Sequence, residues 1–155
     1  MSERTDILIS LSQPYVDHVL SGRKTVELRR RAVNVSPGTR VWIYAKAPQA
    51  NFPAVGVVRE IVTAAPAQLW KQFRKDSAVT LADFQEYFVG VSTGCAIVFE
   101  SVQMLEPTVA LNEIRRRARC FHPPQFFKRL SKDSPELKVL LTRMPGRDVK
   151  GCPQA

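Results

Sequence analysis

The chain has 155 residues, 23 lysines and arginines against 14 aspartates and glutamates, 45% hydrophobic residues and a net charge of +9 at pH 7. That length fits one domain, which buries roughly 70% of the surface its unfolded chain exposes and needs no disulfide or metal staple. The apolar fraction excludes a disordered basic tail, because such tails lack the apolar surface to offset ordering entropy. Most of the cations are arginines, densest after residue 105. Guanidinium forks match phosphate geometry, so the balance points to RNA, another nucleic acid or a nucleotide-like small molecule; a merely soluble alkaline surface is the bland alternative. Cys95, Cys120 and Cys152 are too scattered for a disulfide framework or a zinc site, and a reduced cytoplasmic setting without metal or cofactor is expected. No long apolar run suggests secretion, a membrane partner or a membrane span.

In chain order, DILISL (Asp6 to Leu11) reads as a buried first strand. Ser12 and Pro14 open a helix whose stripe is Tyr15, Val16, Val19 and Leu20, and Gly22 stops it. Thr25 to Arg30 has period two, with Thr25, Glu27 and Arg29 on one face and Val26, Leu28 and Arg30 on the other, so it predicts a strand with a polar face. RVWIYA (Arg40 to Ala45) is a third strand; KAPQANFP reads as a loop, and Ala54 to Val62 as a fourth strand in which Gly56 marks a bulge or a close backbone approach. Ala67 to Phe73 is helical, and Thr80 caps a further helix ending near Gly90. Gly94 to Leu105 is a long strand that Pro107 is expected to end, followed by a helix from Leu111 to Arg119. CFHPPQFFKRL reads as a rigid aromatic turn; the pattern weakens beyond Ser131. The chain is expected to divide into one domain over 1–145 and a flexible C-terminal tail over 146–155.

The strongest constellation runs from Ser10 to Arg31. From Arg23 to Arg31 five cations stand against one acid, Glu27, on a strand that follows a capped helix, so the charges are aimed by regular structure. Lys24 and Arg29 suit phosphate clamping, Glu27 suits a base edge or an arginine partner, and Trp42, Tyr44 or Phe126 suits stacking on a base. Arg30, Arg115, Arg116 and Arg119 are expected to widen a basic rim. His18 and His122 read as surface or packing residues and Cys95 as a small buried hydrophobe, while Cys120 stands beside Arg119.

Gly22, Lys24, Thr25, Glu27, Arg29 and Arg30 form the pattern GxKTxExRR. They are followed in order by Trp42-Ile43-Tyr44-Ala45, Gly56, Tyr87-Phe88-x-Gly90 with Gly94, and Phe121-x-Pro123-Pro124-Gln125. Over about residues 6–130 the chain resembles the ASCH domain family of the PUA-like superfamily. The resemblance implies an α+β, mainly β fold, a small barrel with short helices around it, and a cleft at the GxKTxExR element. It also implies a role in RNA metabolism or transcription, with Lys24, Thr25, Glu27, Arg29 and Arg30 at the binding site. One ASCH branch removes acyl groups from N4-acetylcytidine with a lysine, a threonine and a distant glutamate. Lys24 matches that lysine, Glu27 stands where the threonine falls, and nothing from Asp76 to Asp83 clearly matches the glutamate. Lys24 and Glu27 are therefore the catalytic candidates if the chain is an amidohydrolase; a non-catalytic small-ligand regulator is the third reading. A metal-assisted nuclease lacks clustered carboxylates or histidines in the sequence.

Overall fold

The computed structural model describes residues 5–144. Its elements are β1 (Asp6–Leu11), α1 (Gln13–Leu20), β2 (Val26–Arg29), β3 (Arg40–Ala45), β4 (Asn51–Ala64) and α2 (Pro66–Phe73), then α3 (Leu81–Tyr87), β5 (Gly94–Ala110), α4 (Leu111–Arg117), β6 (Phe127–Leu130) and α5 (Pro135–Leu141). The strands form one six-stranded sheet in the order β2-β5-β4-β3-β1-β6. Only β1 and β3 pair in parallel within it, across the α1 and β2 crossover; the other ladders are antiparallel. The sheet curls into a half-barrel, with β2 and β6 as its open edges.

Strand alternation sorts the apolar residues onto two faces. Ile7, Ile9, Val41, Ile43, Ile97 and Phe99 share one face with Val16 and Val19 of α1. Leu8, Trp42, Tyr44 and Val55 face the other way, where Ile114 of α4 and Leu137 and Leu140 of α5 cover them. A third cluster joins Val26 and Leu28 of β2 to Leu69 and Phe73 of α2 and Phe84 of α3. Glu27 and Arg29 alternate with Val26 and Leu28 and pair with Ile97 and Cys95, so they point to the α1 side of the sheet.

Three expectations change. Pro107 does not end β5, and β4 starts at Asn51 rather than after the KAPQANFP loop. The ladder slips between Phe52–Val109 and Ala54–Met104, and this bulge contains both Pro53 and Pro107, where neither ring removes a needed ladder donor. The slip also flips faces: Phe52 packs with Trp42's cluster, while Ala54 packs with Ile43's. Second, the segment read as a rigid turn delivers β6, which pairs Phe127 with Ile9 and Leu130 with Asp6. Third, the weak region beyond Ser131 holds α5, capped by Ser134, whose hydroxyl accepts from the Leu137 N–H, and pinned by buried Leu137 and Leu140. Gly56 does mark a close approach, since a Cβ there would lie 2.8 Å from Cδ1 of Phe99. The tail expected over 146–155, with Cys152, lies outside the described residues. Among the described residues no helix is long and apolar enough to cross a membrane.

Candidate nucleic-acid interface

Gly22, at φ +85°, turns the chain out of α1, and the Lys24 N–H donates back to the His18 carbonyl at 2.9 Å. The next two N–H groups, of Thr25 and Val26, both donate to the Asp76 carbonyl, which ties the start of β2 to the turn after α2. These local bonds aim three ionic side chains inward. Lys24 is 2% exposed, donates to the Ser77 carbonyl at 2.7 Å and lies 3.3 Å from Oε1 of Glu27. Oε2 of Glu27 is 3.0 Å from Nε of Arg29, a close ion contact without hydrogen-bond alignment. The Arg29 fork then spans the barrel opening: Nη1 donates to the Phe126 carbonyl at 3.0 Å and Nη2 points to the Ser10 carbonyl at 3.4 Å. Strand β2 is thereby joined to β1 and to the lead-in of β6 through a side chain, where the sheet has no ladder.

Above this network opens a cleft of about 770 Å³ between α1, β2, α3 and the segment before β6. Lys24, Glu27, Arg29 and Arg30 line it, as do Ser10, Tyr15, Arg31, Lys46, Tyr87 and Phe126. Lys24 and Arg29 thus each engage protein carbonyls as well as the Glu27 carboxylate. The outer cations are Arg30, whose guanidinium reaches the Val89 carbonyl at 3.3 Å, Arg31, stacked 3.7 Å over the Phe126 ring, and the exposed Lys46. The α3 wall contributes Asp83 and Glu86, so the cleft is mixed in charge rather than uniformly basic. The Tyr87 hydroxyl accepts from the Arg30 N–H at 3.2 Å, leaving its own proton for the cleft. Burial pushes the Tyr87 phenol up against the pull of the Arg29 charge, and the Tyr15 phenol is pushed up by burial and then by Asp83 and Glu27. Both hydroxyls are neutral donors throughout the ordinary pH range.

Other candidates lie elsewhere. Thr25 is exposed and outside the cleft lining. Trp42 is fully buried and gives its indole N–H to Asp6 at 2.9 Å, while Tyr44 packs against Phe52 with ring centres 5.0 Å apart. Neither ring faces the cleft, because residues 42 and 44 alternate away from Val41 and Ile43 onto the α4 and α5 side. Arg115 donates to the Phe121 carbonyl at 3.1 Å and lies beside His122. Arg116 lines a separate groove between α4 and α5, and Arg119 is exposed just past α4. None of the three widens the cleft rim, since Ile114 fixes α4 on the other face of the sheet.

Tyr15, Lys46 and Tyr87 were not anticipated at the site. Tyr87 ends α3 beside Phe84 and Phe88 of the buried cluster, and its ring packs on Phe88 with centres 4.9 Å apart while its hydroxyl reaches the Arg30 N–H. Tyr15 fits the α1 stripe as well as it fits the site, and its ring lies 5.2 Å from Nζ of Lys24.

A PUA-like half-barrel with an open cleft lined by ionic and aromatic side chains defines the class of protein. Residues 9–108 match the ASCH domain, and the chain belongs to that family. It is 28% identical over 140 residues to an ASCH domain-containing ribonuclease of Zymomonas mobilis subsp. mobilis, a match covering 90% of this chain and 94% of that one. The crystal structure of ASCH from Zymomonas mobilis superposes with a TM-score of 0.83 at 26% identity, over 90% of this chain and 96% of that one. Human THYN1, solved in complex with 5-methylcytosine containing DNA, shares the fold at a TM-score of 0.54 and 8% identity, over 90% of this chain and 96% of that one.

Proposed function

We propose that this ASCH protein binds RNA in the cleft above Lys24, Glu27 and Arg29. The observation that carries the reading is their convergence on one open pocket, which the cations Arg30, Arg31 and Lys46 also line. The inner network sets the shape; the outer cations supply affinity. Glu27 keeps lone pairs beyond those facing Lys24 and Arg29, and these accept from a base edge or a ribose hydroxyl.

The test uses the outer residues, because removing Lys24 or Arg29 would disturb the fold as well as the ligand. Three phosphate contacts give a slope of log affinity against log salt of about −2 on a single strand. The double variant Arg30→Ala/Lys46→Ala is expected to bring the slope to about −0.7 and to leave the melting temperature nearly unchanged. An unaltered slope in a folded variant would remove the cleft as the binding site.

The Zymomonas relative described as a ribonuclease favours a second reading, strand cleavage in the same cleft. Incubation with end-labelled RNA separates the two: shortened products support cleavage, and intact RNA at saturating protein leaves binding alone. The deacylase alternative has less support, because Lys24 donates to the Ser77 carbonyl and is ion-paired with Glu27. Cytidine release from N4-acetylcytidine would restore it. Binding of a nucleotide without RNA binding would instead favour the small-ligand regulator.

A further inference from the structure

We infer that Phe126, backed by Arg31, is a stacking platform for one unpaired nucleobase, so that the cleft takes single-stranded rather than duplex RNA. The inference rests on the RNA reading above and narrows it.

Phe126 is a large apolar ring left 44% exposed at the cleft, whereas its neighbour Phe127 packs into the core beside Ile9. Phe126 belongs to none of the buried clusters and lines the cleft instead, so its placement does not serve the core packing. Neither is it a loose loop tip. Two residues earlier, the Pro124 carbonyl accepts the Ser10 hydroxyl at 2.7 Å; the Phe126 carbonyl accepts Arg29, and Phe127 enters the β6 ladder. Pro123 and Pro124 have φ fixed by their rings. The backbone is thus held on both sides of the ring, and the buried Glu27–Arg29 contact anchors the holder.

The guanidinium of Arg31 lies 3.7 Å from the ring centre, in stacking range. A planar cation stacked on a phenyl ring extends a flat surface and places positive charge beside it. A nucleobase with its phosphate presents the matching shape: a π-face for Phe126 and a charge for Arg31. An aliphatic ligand would gain little from a flat ring, and a base inside a duplex has both faces covered by its neighbours. Only an unpaired base reaches the platform. Arg29 acts here as a positioning residue, through the Phe126 carbonyl.

The test is a fluorescence-anisotropy titration of the full chain with three probes: a single-stranded octaribonucleotide, the same strand in a duplex, and an abasic strand of equal length. Wild type is expected to prefer the base-bearing single strand. Phe126→Ala is expected to weaken that strand roughly 5- to 150-fold, to leave the abasic strand unchanged and to melt like wild type, with Phe126→Tyr restoring affinity to within about twofold. Arg31→Lys keeps the charge but loses the planar stack, so it should lower affinity for the base-bearing strand and preserve the salt slope. Equal losses on base-bearing and abasic strands, no loss at all, or equal wild-type affinity for single strand and duplex would each overturn the platform while RNA binding stands. If wild type binds none of the probes, the RNA reading falls and the platform with it.

Discussion

Replacing Glu27 by glutamine tests whether the cleft floor is a charge network in which the single anion offsets two buried cations. The substitution keeps the shape and removes the charge between Nζ of Lys24 at 3.3 Å and Nε of Arg29 at 3.0 Å. Breaking a buried pair by removing one partner costs about 3–5 kcal/mol, because the other charge stays buried without compensation. The Glu27 and Arg29 side chains retain 9% and 11% exposure toward the cleft, which places the cost near the lower end, at about 3 kcal/mol. For a chain of this size that corresponds to a melting temperature lower by about 6–12 °C. Lys24→Met gives the contrast: it loses a charge-assisted bond to the Ser77 carbonyl, about 1.5–3 kcal/mol, but leaves Glu27 and Arg29 as a neutral pair. Glutamine at 27 is therefore expected to cost more than methionine at 24, although Lys24 is the more buried group. Urea unfolding of both single variants and the double variant closes a cycle, and sub-additivity of about 1–3 kcal/mol is expected since removing Lys24 relieves the repulsion created at Glu27. A Glu27→Gln variant within about 1 kcal/mol of wild type, or strict additivity, would refute the network.

Arg29→Lys removes the fork that reaches the Phe126 and Ser10 carbonyls, and hydrogen exchange is expected to quicken across residues 121–130 while α2 and α3 keep their protection. Gly56→Ala drives a Cβ to 2.8 Å from the Phe99 ring, a strain of about 1–3 kcal/mol readable as a lower urea midpoint; adding Phe99→Leu should recover part of it. All three tyrosines have phenols pushed above 10.0 by burial, with Arg29 opposing at Tyr87 and Arg115 at Tyr44. Above that pH the unfolded chain releases protons that the folded chain retains, so stability is full below about pH 10 and falls as pH rises through the folded values. Phenolate absorbance should therefore appear together with unfolding, and a tyrosine ionising at its ordinary pH in the folded protein would contradict this.

Much of the frame was legible because its signals are local. The period-two run at Thr25 to Arg30, the β-branched RVWIYA segment and the Ser12, Thr80 and Gly22 boundaries all correspond to elements of the sheet and its helices. The errors arose where tertiary pairing overrides a local rule. Pro53 and Pro107 read as strand breakers on their own, and they are tolerated because the β4 and β5 bulge brings them to one place without ladder donors. At the site, alternation correctly aimed Glu27 and Arg29 together. It did not say which face of β3 meets the cleft, and so Trp42 and Tyr44 were assigned to a ligand when they belong to the packing beneath α4 and α5. The run from Arg115 to Arg119 misled for a related reason: charge density reports a solvated helix, while the side of the sheet it occupies is decided by one buried residue, Ile114.

The division of labour among the motif residues follows from the geometry of an open barrel. A half-barrel leaves β2 and the β1–β6 pair facing each other without backbone hydrogen bonds, and the gap must be held by something if the cleft between them is to keep its shape. Arg29 is long enough to cross it and rigid enough to hold two carbonyls, yet its charge is tolerable inside only beside Glu27. Glu27 stands in turn beside Lys24, which fastens β2 to the turn after α2 through Ser77. The spacing Lys24, Glu27, Arg29 is thus the spacing of a brace, in which each ion makes the next one affordable. On the RNA reading proposed above, ligand contacts fall to side chains just outside that brace, Arg30, Arg31, Lys46, Tyr87 and Phe126, which line the cleft. On that reading, ligand choice within this fold can change through the outer set while the brace stays the same, and substitutions at Phe126 and Arg31 test it most directly.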